Sequence, residues 1–132
     1  MDIDFIGVIG VILATVAAFG LGAVWFMPRV FGTFWMRANG FPDDDPGAPP
    51  RAFASAFILM LIASYVLSVI IGDGATVWEG LRLGLAVGAA FVAVGIGVLY
   101  LFERRSATHF FVNAGYMIVA FSVMGIIIGA TS

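Results

Sequence analysis

Four long runs of uncharged, mostly apolar residues constrain this chain more than any other feature of its sequence. They cover residues 5–26, 52–71, 83–102 and 110–130, each 20 to 22 residues long. A helix of this length rises about 30 Å, which is the thickness of the hydrocarbon layer of a bilayer. Lipid cannot satisfy backbone hydrogen bonds, so uninterrupted runs of this kind cross membranes as helices. We therefore expect an all-α integral membrane protein with four transmembrane helices.

The composition agrees with lipid as the main partner and excludes several other classes. The chain is 62% hydrophobic and 11% charged, against about 25% charged in soluble proteins. Its six basic residues are scattered arginines and its net charge is −2, so no basic patch exists to bind nucleic acid. It has no cysteine, which excludes disulfides and thiolate sites. The acidic first four residues and the length of the first run predict a retained membrane helix rather than a cleaved signal.

With their flanking residues, we place the helices at about 5–26, 52–71, 79–102 and 109–130, in one polytopic domain spanning 1–132. The long first connection divides into two parts. Its first part, residues 29–40, puts Arg29, Thr33 and Arg37 on one side of a helix and Phe31, Phe34 and Trp35 on the other. That pattern is typical of a short interfacial amphipathic helix. The second part, residues 41–50, holds three aspartates and four prolines and is predicted to be a solvated loop.

The distribution of arginine predicts the orientation in the membrane. The first and third connections carry Arg29, Arg37, Arg51, Arg104 and Arg105, whereas the opposite side has only Arg82. By the positive-inside rule, the first and third connections face the cytoplasm. We therefore expect a multi-pass protein of the inner membrane with both termini on the outer, periplasmic side.

Small residues recur at helical spacing and predict close helix packing. Gly80, Gly84, Gly88 and Gly95 fall on one face of the third helix, and Gly125 and Gly129 on one face of the fourth. Small residues at four-residue spacing let membrane helices approach closely. Packing within the chain is expected to use most of these faces. We expect at least one face to remain for self-association or for a membrane protein partner.

The ionisable residues give no clear reaction centre. None lies deep in any of the four runs, which argues against proton-coupled transport through a central carboxylate. No nucleophile–base pair and no phosphate loop is visible, so we expect no catalytic residue and no enzyme. A lone histidine without a second ligand predicts neither a metal nor a cofactor. The aspartates at 43–45 fit no calcium-loop spacing and are interpreted as a solvated turn.

Two polar groups near the predicted inner ends of the third and fourth helices leave alternatives open. Glu103, Arg104, Arg105 and His109 cluster there, either as an anionic-lipid or partner site or, for the two arginines, as anchors that fix the topology. Asn113 and Tyr116 follow His109 at helical spacing on one face. They are interpreted either as a polar pocket or as interhelical hydrogen bonds, of which the second is favoured.

Two stretches resemble a known family. Residues 22–36 read GAVWFMPRVFGTFWM, and residues 102–106 read FERRS, followed by FVNAGY at 111–116 and MG at 124–125. Together they resemble the bacterial membrane family catalogued as domain of unknown function 1761. The resemblance implies four hydrophobic helices with a long first connection, and it implies no activity. It directs attention to Trp25, Pro28, Phe31, Gly32, Trp35, Glu103, Arg105, Asn113 and Tyr116.

Both stretches fall on the predicted cytoplasmic side, so we expect the amphipathic segment to dock beside the turn between helices three and four. In that arrangement Pro28 redirects the chain and Gly32 permits close approach. Phe31 and Trp35 then cover a polar cluster around Glu103 and Asn113.

Three functional hypotheses follow. The first is a non-enzymatic homo-oligomer or an accessory subunit of a membrane complex. The second is a small channel or carrier for a neutral or lipid-like solute, lined by Thr15, Ser64, Tyr65, Ser68 and Tyr116. The third, an inner-leaflet enzyme using Glu103 and His109, is the least favoured.

Overall fold

The helices of the protein are joined by short turns and one longer loop. A computed structural model describes residues 5–42 and 44–132. Its helices are α1 (Phe5–Trp25), α2 (Thr33–Asn39), α3 (Pro50–Ile71), α4 (Val77–Glu103) and α5 (Ala107–Ala130). All except α2 are long and apolar enough to cross a membrane, and the described residues contain no strand. The predicted all-helical class with four membrane-length helices is confirmed.

Three of the long helices begin two residues earlier than predicted, because capping residues extend them beyond the apolar runs. Pro50 is the first residue of α3, a position that suits its missing N–H. The Thr76 hydroxyl accepts a hydrogen bond from the Glu79 N–H (3.1 Å) before α4. The Ser106 hydroxyl accepts one from the His109 N–H (3.1 Å) before α5. These caps satisfy first-turn N–H groups that no helical carbonyl reaches.

Helix α5 lies at the centre of the bundle. It is the most buried of the four long helices. It contacts α1, α2, α3 and α4, and α3 packs also on α1. The core combines small and large side chains from α1, α3 and α5, among them Ala14, Leu67, Phe121, Met124 and Ile128. Removing α5 would therefore expose most of the interior.

The closest helix contact joins α4 to α5 and is made of glycines, which we call the glycine seam. Its members are Gly80, Gly84, Gly88, Gly125 and Gly129. A Cβ added at Gly80 would overlap the carbonyl oxygen of Gly125, and one added at Gly125 would overlap that of Gly80. At Gly88 an added Cβ would lie 3.0 Å from the Cα of Ile118. The two backbones approach to a distance that excludes any side chain, which maximises dispersion contact in the absence of a hydrophobic drive.

A π-helical turn, Gly88–Val92, interrupts α4 and corrects one prediction. The Ala93 N–H donates to the Gly88 carbonyl, five residues back, so the helix carries one extra residue. The face that meets α5 then continues through buried Ala93 and through Gly97, whose added Cβ would lie 3.2 Å from Phe110. The prediction that Gly95 shares the face of Gly88 is wrong, since nothing lies within 4 Å of a Cβ there.

Two predictions fall partly on residues that the structure does not describe. The acidic start, residues 1–4, and Asp43 lie outside the described residues. Of the remaining aspartates in the loop, Asp45 accepts a hydrogen bond from the Gly47 N–H through Oδ2 (2.9 Å). An aspartate that bonds to the backbone two residues ahead forms an Asx turn, as in an exposed loop.

Candidate functional site

The connection from α1 into α2 is built around a close backbone turn. Met27 is extended (ψ 144°), and Pro28 starts a π-helical turn, Pro28–Gly32. The Gly32 N–H donates to the Met27 carbonyl (2.8 Å). A Cβ on Gly32 would overlap the Phe26 carbonyl oxygen and lie 2.7 Å from the Met27 carbonyl carbon. Only glycine fits this position, so the turn direction depends on Gly32.

Two reciprocal hydrogen bonds join α1 to α5, and we call this pair of contacts the α1–α5 clasp. The Trp25 indole Nε1–H of α1 donates to the Val112 carbonyl of α5 (3.0 Å). The Tyr116 hydroxyl of α5 donates to the Ala18 carbonyl of α1 (2.8 Å). Partly buried polar side chains in an apolar surrounding need such partners, and here the acceptors are backbone carbonyls. The clasp therefore fixes the register of two antiparallel helices.

Two glycines make room for the rings of the clasp. A Cβ at Gly115 would lie 3.2 Å from Cζ2 of Trp25, and one at Gly22 would lie 3.1 Å from the hydroxyl oxygen of Tyr116. Each ring thus rests on the bare backbone of the opposite helix. Both glycines belong to the two sequence stretches that carry the family resemblance, although neither was predicted as a site residue.

Further aromatic side chains extend the clasp toward α2. Phe31 packs on Trp25 with ring centroids 4.6 Å apart. Phe26 contacts both Tyr116 (5.4 Å) and Trp35 (5.5 Å) in edge-on geometry. We call these five residues the aromatic cluster. Edge-on pairs of this kind are each worth about 0.5–1.5 kcal/mol beyond their buried area. Through them α2 is held against α5.

A second group of predicted residues lies at the turn between α4 and α5. The Asn113 Nδ2–H donates to the Tyr100 hydroxyl (2.7 Å), and the His109 ring packs 5.0 Å from that of Tyr100. Arg105 donates from Nε to Oε1 of Glu103 (2.8 Å), and its guanidinium lies 5.3 Å from the centroid of the Tyr100 ring. Both side chains of the ion pair are partly exposed, at 40% and 47%, so the pair adds little stability.

The structure thus divides the nine residues marked by the resemblance, together with His109, into two groups. Phe31 and Trp35 were expected to cover Glu103 and Asn113, but they pack on Trp25 and Phe26 instead. The reason is the central position of α5, which presents Asn113 to α4. Tyr116, about 60° further around the helix, faces α1.

Glu103 pairs with Arg105 across a tight turn, which Arg104 closes in the left-handed conformation (φ 59°). The start of α5 is capped by Ser106.

Tyr100 is the residue of this region that sequence reasoning missed most clearly. It accepts from Asn113, contacts His109 and lies under Arg105, so it joins every member of the turn except Glu103. The sequence marks it only as an aromatic residue near a membrane boundary. The contact between Tyr100 and Asn113 could have been predicted from their positions on either side of a short turn. A hairpin of antiparallel helices brings such positions opposite each other.

The clasp gives a direct prediction for stability. Trp25→Phe and Tyr116→Phe should each lower the free energy of unfolding by about 0.5–1.5 kcal/mol, because each removes one interhelical hydrogen bond and keeps most of the ring. Unfolding in a mixed detergent series measures the loss. Tyr65→Phe is the matched control, since the Tyr65 side chain is exposed on α3. Equal stability of all three variants would contradict the assigned role of the clasp.

Comparison with known proteins gives one match. The family model described as "Protein of unknown function (DUF1761)" matches residues 9–129, nearly the whole chain. No curated protein and no solved structure matches the chain.

Proposed function

The chain belongs to the DUF1761 family of proteins of unknown function, and from its own contacts we propose that it is a non-enzymatic membrane protein. In this proposal the four long helices cross the inner membrane, and α2 lies at the cytoplasmic surface. The protein acts as a homo-oligomer or as an accessory subunit of a membrane complex. The arginines beside the α1–α2 and α4–α5 connections support this orientation, which places both termini outside.

The proposal rests on the hydrogen bonds made by polar residues of the two stretches that carry the family resemblance. Trp25, Asn113 and Tyr116 each donate to another helix of the same chain. A catalytic site needs polar groups that face a substrate, whereas these groups hold α5 to its neighbours. The contacts therefore support a scaffold whose cytoplasmic side has a defined shape.

The carrier alternative receives less support from the same bundle. The hydroxyls of Thr15 and Ser64 both donate to the Val11 carbonyl (2.8 and 3.0 Å). The Tyr116 hydroxyl is engaged in the clasp, and Tyr65 lies on the outside of α3. The hydroxyls of Thr15, Ser64 and Tyr116 bond to helix carbonyls and do not line one shared path. Their arrangement therefore favours a role in helix packing over a role in conducting a solute.

Extraction in mild detergent from native membranes tests the proposal. We expect the tagged chain to elute either at a small multiple of 13.9 kDa or with a stoichiometric membrane protein. The native mass and the identity of copurifying chains are the readouts, and untagged cells are the control. A stable monomer with no companion, in detergent and in lipid nanodiscs, would overturn it and make transport assays the next step.

A further inference from the structure

A groove runs between the second half of α4 and the first half of α5. Its volume is about 620 Å³, which lies within the range of small-molecule sites. Small residues of α4, Ala89, Ala93 and Gly97, line it at four-residue spacing, and Phe110 and Phe111 line the side of α5. The π-helical turn creates this arrangement, because it brings Ala93 and Gly97 onto the side that faces α5. The groove is therefore apolar over most of its length.

The end of the groove next to the α4–α5 turn is polar and positive. Arg105 and Ser106 line it there. Arg105 uses Nε for Glu103, and among the described residues no acceptor bonds its terminal guanidinium nitrogens. The Ser106 oxygen accepts from His109, which leaves its hydroxyl hydrogen to donate elsewhere. An apolar channel that ends at a guanidinium and a hydroxyl matches an amphiphile with an anionic head.

We propose that this groove binds one anionic phospholipid, with an acyl chain along Ala89, Ala93 and Gly97 and the phosphate at Arg105 and Ser106. The groove opens outward from the helix pair, with Val98 and Phe111 on its rim 50% and 70% exposed. It lies along two membrane-length helices, so most of its open side meets acyl chains, and its end at Arg105 meets headgroups.

A second copy of the chain fits the groove less well than a lipid. Two copies with the same membrane orientation, related by a two-fold axis, bring Arg105 of each toward the same depth at the shared face. Like charges are then opposed at headgroup depth, which disfavours that contact. A phosphate at the same place can instead accept hydrogen bonds from the terminal nitrogens of the guanidinium.

The test is a titration of the full chain with single phospholipids, read by native mass spectrometry. Phosphatidylglycerol and phosphatidylcholine of equal chain length are the two probes. We expect phosphatidylglycerol to bind as one tight molecule, about fivefold or more tighter than phosphatidylcholine, the contribution of one arginine near a membrane surface. Equal affinity for the two lipids would overturn the assignment of an anionic headgroup to Arg105.

Two pairs of variants separate recognition from fold. Arg105→Gln should abolish the preference for phosphatidylglycerol. Glu103→Gln removes the competing carboxylate and should leave the preference intact or raise it. A purely structural ion pair predicts the same effect from both variants, so equal losses would contradict the proposal.

Val98→Trp should fill the groove and weaken binding of either lipid about tenfold. Leu99→Trp is its matched control, because Leu99 is the next residue of α4, is 60% exposed and lies off the groove. Unchanged binding in Val98→Trp would overturn the placement of the acyl chain. Efficient disulfide formation between Val98→Cys chains in lipid, with loss of lipid binding, would assign the groove to a second copy instead. Thermal melting of each variant confirms that it is folded.

Discussion

Replacing Gly84 with leucine will force α4 away from α5 and lower the free energy of unfolding by about 3 kcal/mol or more. A Cβ at this position overlaps the Phe121 carbonyl oxygen and lies 3.2 Å from the Cα of Gly125. Both neighbours are backbone, and a helix backbone cannot move aside as a flexible side chain can. The bundle must therefore separate along the glycine seam, and the dispersion contacts of the whole seam weaken together.

The matched control is Gly95→Leu, on the same helix. Nothing lies within 4 Å of a Cβ at Gly95, and leucine is the better helix former by up to about 1 kcal/mol. This variant should be as stable as the parent or slightly more stable. Thermal and denaturant unfolding of the purified proteins in one detergent measure both. Equal destabilisation at the two positions would show that the seam is not the principal contact of α4.

Replacing Gly32 with alanine should free α2 from the bundle while leaving the four long helices in place. The added Cβ overlaps the Phe26 carbonyl oxygen, so the π-helical turn at Pro28–Gly32 has to open. Opening removes the hydrogen bond from the Gly32 N–H to the Met27 carbonyl and turns Phe31 and Trp35 away from their partners. We expect a local cost of about 2 kcal/mol, which corresponds to roughly thirtyfold faster exchange of amide hydrogens in α2.

Hydrogen exchange read by mass spectrometry resolves this effect, since α2 and α5 give separate peptides. Gly20→Ala is the control, because nothing lies within 4 Å of a Cβ at Gly20 and α1 is a regular helix there. Protection of α5 should persist in both variants. If α2 of Gly32→Ala exchanges as slowly as in the parent, the turn does not hold α2 in place.

Much of the fold could be predicted from the sequence because lipid leaves the chain few choices. Runs of apolar residues as long as the bilayer is thick must be helices, and short polar connections must make them antiparallel. The close approach at Gly80 and Gly125 could also be predicted from residue type, since only glycine permits it. No residue type marks the π-helical turn of α4, so Gly95 was placed on the wrong face.

The grouping of the polar residues was harder to predict for a related reason. Trp25 and Tyr116 bond to the carbonyls of Val112 and Ala18, and every residue offers a carbonyl whatever its side chain. The sequence therefore identifies the side-chain donors but not the backbone carbonyls that accept from them. The partner of Asn113 is a side chain, Tyr100, yet choosing it required knowing which neighbour each side of α5 faces.

The central place of α5 has a consequence for how the protein is made. A ribosome adds residues in order at about 5–20 per second, so Trp25 is synthesised on the order of 5–20 s before Tyr116. During that interval the α1 indole lacks its acceptor on Val112, and α4 lacks the glycines of its seam partner. A chain inserted helix by helix stays loosely associated in the bilayer until α5 arrives. Quality-control proteases that survey unassembled membrane segments therefore have a defined period in which to recognise it, and that period closes when one helix docks.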